Sequence, residues 1–94
     1  MPSAAIMYVR SDRNYTWFFA NDGRSVLTSK TLARFAPSLL AHSYFVRLSR
    51  GQIVNLMFVI DYQETQVLLA NGQKLTVSRR CGKGLRAKLE QLKK

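Results

Sequence analysis

Two short basic segments hold the side chains best equipped for chemistry. In Phe45-Val46-Arg47-Leu48-Ser49-Arg50-Gly51-Gln52-Ile53-Val54-Asn55-Leu56, apolar residues flank a cationic, hydroxyl-bearing centre. Phe45, Ile53, Val54 and Leu56 suit a buried sheet, Arg47, Ser49 and Arg50 suit water, and Gly51 permits a tight or positive-φ turn. The stretch reads as strand, exposed loop, strand: a cationic loop on a rigid base. In Ser78-Arg79-Arg80, two guanidinium groups follow a residue type favoured as a helix N-cap. Positive charge in a first helical turn opposes the helix macrodipole, so this pair breaks a local rule. Two arginines beside free N–H donors suit a phosphate or a base edge; the plainer reading has both pointing into water.

This is the chemistry of polyanion recognition. Fifteen Lys and Arg against five Asp and Glu give the 94 residues a formal charge of +10, a strong positive field whose natural partner is nucleic acid ahead of an anionic membrane. With five carboxylates, one histidine (His42), one cysteine (Cys81) and no glycine-rich phosphate loop, the chain lacks parts for acid–base, nucleophilic or zinc chemistry. No catalysis, cofactor or metal is expected. His42, in polar Ala41-His42-Ser43, reads as a solvated loop histidine. A lone cysteine fits a reducing compartment, and neither a run of about 18 apolar residues nor a signal peptide is present, so a cytoplasmic protein without a membrane partner is expected. Asn14-Tyr15-Thr16 matches the N-glycosylation pattern, which matters only in a secreted chain.

The elements that must position the basic groups follow from patterning. The 47% apolar content and single-domain length imply one globular unit over residues 1–94. Ile6–Arg10 reads as a strand, Ser11-Asp12-Arg13-Asn14 as a loop, and Tyr15–Ala20 as a strand returned through Asn21-Asp22-Gly23 by Ser25–Leu27. Thr28 or Ser29 is expected to cap a short helix bearing Leu32, Phe35 and Leu39, which Pro37 should end or bend. Asn55 reads as a structural amide. Met57–Asp61 and Thr65–Ala70 are β-compatible around polar Gln63-Glu64. Val67 and Leu69 before Asn71-Gly72, with Leu75 and Val77 after, predict a hairpin closed by a type I′ turn. Cys81, Leu85, Leu89 and Leu92 form a helical stripe, so a last helix is expected to start after Ser78 and to tolerate Gly82 and Gly84 at about 1 kcal/mol each. Lys83, Arg86, Lys88, Lys93 and Lys94 would line its solvated face, with Lys88 adding affinity irrespective of sequence.

The ordered elements Arg13-Asn14-Tyr15, Lys30-Thr31-Leu32, Phe45-Val46-Arg47, Ile53-Val54-Asn55, Asn71-Gly72 and Val77-Ser78-Arg79-Arg80 resemble the LytTR family of bacterial DNA-binding domains across nearly the whole chain. The resemblance implies a mostly β fold, α+β by content: elongated, layered antiparallel sheets with a short middle helix and a C-terminal helix. It further implies sequence-specific binding of double-stranded DNA by loops entering the major groove, as the output domain of a transcription regulator in two-component signalling. A second copy on paired repeat sites and an upstream receiver or sensor domain are implied as partners. Carried over position by position, the DNA-facing candidates are Arg13, Asn14, Arg47, Ser49, Arg50, Arg79 and Arg80, with Lys30 as a phosphate contact. Base reading falls first to Arg50 and Arg80, and positioning to Arg47. Ser49 stands where the family usually has histidine, a shorter and less discriminating group.

The competing reading is an RNA- or single-strand-binding β module using Tyr8, Tyr15, Trp17, Phe18 and Tyr44 as stacking platforms. Tyr15, Trp17 and Phe19 share a strand face, so an aromatic cluster under a sheet explains them equally well. Exposure of that face discriminates between the two.

Overall fold

The structure, a computed structural model, describes residues 3–63 and 65–92, the last by backbone alone. Glu64, Lys93, Lys94 and the Leu92 side chain, all named in the sequence reading, lie outside the described residues. After a 3-10 turn at Ser3–Ala5, strands β1 (Ile6–Asp12), β2 (Tyr15–Ala20) and β3 (Ser25–Thr28) precede helix α1 (Leu32–Leu40). The hairpin β4 (Phe45–Ser49) and β5 (Gln52–Asn55) follows, then a 3-10 turn at Leu56–Phe58. Strands β6 (Val59–Gln63), β7 (Gln66–Leu69) and β8 (Lys74–Thr76) lead into helix α2 (Arg79–Leu92).

All pairing is antiparallel, in a five-stranded sheet of order β3-β2-β1-β5-β4 and a three-stranded sheet β6-β7-β8. Period-two alternation gives the larger sheet two apolar faces. Ile6, Val9, Phe45 and Ile53 meet Leu32, Ala36 and Leu39 of α1 on one. On the other, Tyr8, Val46, Leu48 and Val54 meet Val67, Leu69 and Leu75 of the second sheet and Leu85 and Leu89 of α2. The result is the layered fold expected, drawn out to 36 × 27 × 22 Å. Asn55, fully buried, ties its surroundings together: its amide donates to the Ile6 carbonyl (2.9 Å) and accepts the Met57 N–H (2.9 Å).

Several local expectations are corrected. Strand β1 extends to Asp12, so only Arg13-Asn14 remains as loop. Thr31, not Thr28 or Ser29, holds the N-cap position of α1, without a side-chain cap bond; Thr28 ends β3 and donates to the Thr16 carbonyl at 3.3 Å. Pro37 sits inside α1. The bond it removes would run to the carbonyl of exposed Ala33, while buried Leu32, Ala36 and Leu39 hold the opposite side of the helix to the sheet. Met57 and Phe58 belong to the 3-10 turn before β6.

The Asn71-Gly72 hairpin forms, but not with a type I′ turn. A two-residue loop would set Val67 opposite Thr76, whereas Val67 opposes Leu75. Side chains directly opposite one another share a face, so burying the apolar set requires one more loop residue. The loop is therefore Ala70-Asn71-Gly72, with the Gly72 N–H on the Leu69 carbonyl (2.9 Å), the Leu69 N–H on the Gln73 carbonyl (2.8 Å) and Gly72 at φ +90°. Asn21-Asp22-Gly23 repeats this geometry, with Gly23 at φ +91° and the Ala20 N–H on the Arg24 carbonyl (2.8 Å).

Candidate nucleic-acid interface

Strand register decides which basic residues meet. β1 ends at Asp12 opposite the start of β2, β3 ends at Thr28 opposite Thr16, and Ser49 and Gln52 close the β4–β5 hairpin. Arg10 pairs with Gln52, so both hairpin turns and the Lys30 loop lie at one pole of the larger sheet. The Ser78 N–H donates to the Leu48 carbonyl at 2.8 Å, which brings the start of α2 to the same pole. Arg13, Asn14, Lys30, Arg47, Ser49, Arg50, Arg79 and Arg80 are thus gathered there. In the strand order β2-β1-β5-β4 the two hairpins are two strand spacings apart, roughly 10 Å at their roots.

Each turn is held by its own chemistry. Arg13, in a two-residue turn, is the one non-glycine residue with positive φ (57°) among the described residues, a conformation unusual for a long side chain. The Lys30 loop is anchored by the Thr16 hydroxyl, which donates to the Lys30 carbonyl (2.8 Å) and leaves the ammonium at the exposed residue. In the central turn, the Arg47 guanidinium donates to the Arg50 carbonyl (2.9 Å). Ser49 is half-buried and its oxygen accepts the Gly51 N–H at 3.3 Å, so this hydroxyl serves the turn. Gly51 does not use positive φ; it allows close approach. Its carbonyl accepts the Ser11 N–H at 2.8 Å, and a Cβ there would lie 2.6 Å from the Ser11 hydroxyl. Arg50, Arg79 and Arg80 are exposed.

Helix α2 begins at Arg79, with the Ser78 carbonyl accepting the Cys81 and Gly82 N–H groups (both 3.1 Å). Its first turn carries no acidic residue, so the macrodipole and two guanidinium groups present one sign of charge. Beside it, Thr65, Arg79, Gly82, Lys83 and Arg86 line an open cavity of about 400 Å³. Arg79, Lys83 and Arg86 fall at i, i+4 and i+7, a spacing legible in the sequence, where Arg79 is a DNA-facing candidate and the other two belong to a solvated face. The Lys88 ammonium reaches the Ser43 carbonyl (3.4 Å), beyond the far end of β4. His42 is exposed and stacks on Tyr44 at 5.1 Å. Among the described residues no acidic, histidine and cysteine groups cluster to hold a metal, and no helix is long and apolar enough to cross a membrane.

The aromatic face is only partly open. Phe19 stacks between Tyr8 (4.4 Å) and Trp17 (6.0 Å), with the Arg10 guanidinium 5.4 Å from its centroid, so neighbouring side chains occupy its ring faces. Phe18 packs edge-on against Phe35 (4.9 Å) under α1, and Tyr15 is exposed.

A layered antiparallel fold with its basic turns at one pole defines a class of nucleic-acid-binding domain. The family comparison makes the class specific: the model of the LytTr DNA-binding domain matches residues 1–90, and the chain belongs to that family, one of DNA-binding domains and not of enzymes. Among solved structures, a LytTr DNA-binding domain from Bacillus cereus superimposes with a TM-score of 0.79 at 24% identity, over 95% of this chain and 84% of that one. A comparison with curated protein sequences found no match.

Proposed function

We propose that the chain binds double-stranded DNA sequence-specifically, its basic turns entering the major groove, as the output domain of a bacterial transcription regulator acting in the cytoplasm. The observation that carries this reading is the gathering of two arginine-bearing hairpin turns and an arginine-bearing helix start at one pole. A major groove about 12 Å wide admits a two-stranded β ribbon, and both turns are of that kind. Exposed Arg50 and Arg80 take the base-reading roles, Arg47 braces the central turn, and Lys30 and Arg79 contact phosphates, with Lys83 extending that track. Arg13 and Asn14 reach the same stretch of duplex from the first hairpin. The Bacillus cereus domain is named for a DNA response regulator, which supports a receiver or sensor domain upstream; occupation of paired repeat sites by two copies completes the reading.

Selection of bound sequences from a random duplex library tests this directly. Enrichment of a spaced repeat is the expected result; no enrichment removes sequence-specific reading. Equal or better affinity for single-stranded RNA would transfer the function to the aromatic face, where Tyr15 is the exposed ring.

A further inference from the structure

We propose that β3 is a self-pairing edge through which two copies of this chain join their larger sheets, leaving their basic poles pointing in opposite directions. The two sheets have four edges, and three are protected in ways that oppose strand addition. β4 carries a register shift between Arg47 and Ser49 and is covered at its end by α2. β6 has a register shift between Val59 and Asp61 and exposes the Asp61 carboxylate. β8 is three residues long and exposes Lys74. β3, Ser25-Val26-Leu27-Thr28, has no charge, no proline and no register shift against β2, and exposes 45% of Val26 and 47% of Leu27.

The occupant is a second copy because the strand complements itself. Two-fold pairing of identical edges is antiparallel, since a symmetric parallel pair would set like backbone groups against each other. Centred on Val26, it sets Val26 opposite Val26 of the second copy, because a two-fold axis normal to the sheet keeps each side chain on its own face. Val26 already opposes Phe18 and Leu27 opposes Trp17 across β2. One face of the joined sheet then carries an unbroken apolar row: Phe18, Val26, then Val26 and Phe18 of the second copy. Charge permits the approach in a chain of +10, because the turn leading into β3 is neutralised by the Arg24–Asp22 ion pair (2.7 Å) and meets the Lys30 end of the other strand. Four residues a side make a small seam, so the association is weak and concentration-dependent.

The basic pole lies at the Thr28 end of β3, so antiparallel pairing directs one pole away from the other. Given the DNA-binding reading above, such a dimer bridges two duplex segments and does not fill adjacent repeats on one. Sedimentation without DNA tests pairing alone. Wild type is expected to show reversible dimerisation at high micromolar concentration, and Val26→Lys and Leu27→Ser, with unchanged circular dichroism, to associate at least about tenfold more weakly. A monomer at every concentration, or a dimer indifferent to both substitutions, overturns the proposal. Bridging is read by energy transfer between two differently labelled duplexes, each with one selected site. Transfer that rises with wild type and is lost in both variants supports opposed poles. Loss of adjacent-repeat binding in those variants, with no bridging by wild type, overturns them.

Discussion

Arg50 and Arg80 are expected to separate specificity from affinity. Replacing either with alanine should cost about 1–3 kcal/mol on the selected site and little on random duplex, the signature of a lost bidentate base contact. Equal losses on both would make them phosphate anchors. The Ser49 oxygen is engaged with the Gly51 N–H, so Ser49→Ala should lose less than about 1 kcal/mol of DNA affinity, the worth of one ordinary hydrogen bond. Ser49→His, restoring the group usual in the family, should change which sequences are selected. Gly51→Ala should lower stability by about 1 kcal/mol, because its Cβ meets the Ser11 hydroxyl at 2.6 Å. Pairing it with Ser11→Ala should return the urea midpoint toward that of Ser11→Ala alone; an additive cycle would remove the contact as the cause. Asp22 titrates below the usual carboxylate range because the Arg24 N–H, and next its guanidinium, hold the charged form. Its contribution to stability is present above the unfolded carboxylate pKa and is lost as pH falls through the lowered folded value. Asp22→Asn should remove that component of the acid limb in a pH–stability profile.

Helix α2 supplies a separate test at the scale of the element. It runs without interruption through Gly82 and Gly84, and a Cβ at Gly84 would meet nothing within 4 Å. Gly84→Ala should therefore stabilise the domain by about 1 kcal/mol through helix propensity alone, measured by urea unfolding. Buried Leu85 and Leu89 explain why the helix persists despite its glycines: apolar burial on one face outweighs a propensity deficit of this size. The direction of α2 places its start at the basic pole and Lys88 beside Ser43. Lys88→Ala should leave duplex affinity nearly unchanged, whereas Lys83→Ala should weaken selected and random duplexes alike. The opposite result would relocate the DNA track along the helix.

For the whole molecule, the gathered cations predict strong salt dependence. Roughly five phosphate contacts would give a slope of log K against log salt near −4 to −5. Duplex titration at several salt concentrations measures it, and a flat response would contradict an electrostatic interface. The two layers over the larger sheet also predict a single cooperative unfolding transition, since Tyr8 bonds Gln73 (2.8 Å) and Leu48 packs with α2, linking the sheets and the last helix into one core.

Local pattern determined much of this molecule. Alternation, turn residues and helical stripes placed the central hairpin, the aromatic strand and the last helix, because each depends on residues close in sequence. The ordered motifs indicated the family, and charge indicated a polyanion. Register and layering belonged to the tertiary structure. Whether Asn71-Gly72 closes a two- or three-residue loop depends on Val67 and Leu75 facing one core together, and α1 continues past Pro37 because the sheet beneath rewards Leu39. Only the strand order β3-β2-β1-β5-β4 and the Ser78–Leu48 bond bring Arg13, Arg50 and Arg80, far apart in the chain, to one pole. The same contacts turn Ser49 into its own hairpin and Lys88 toward the far end, since a side chain's availability to DNA is set by the neighbours folding gives it.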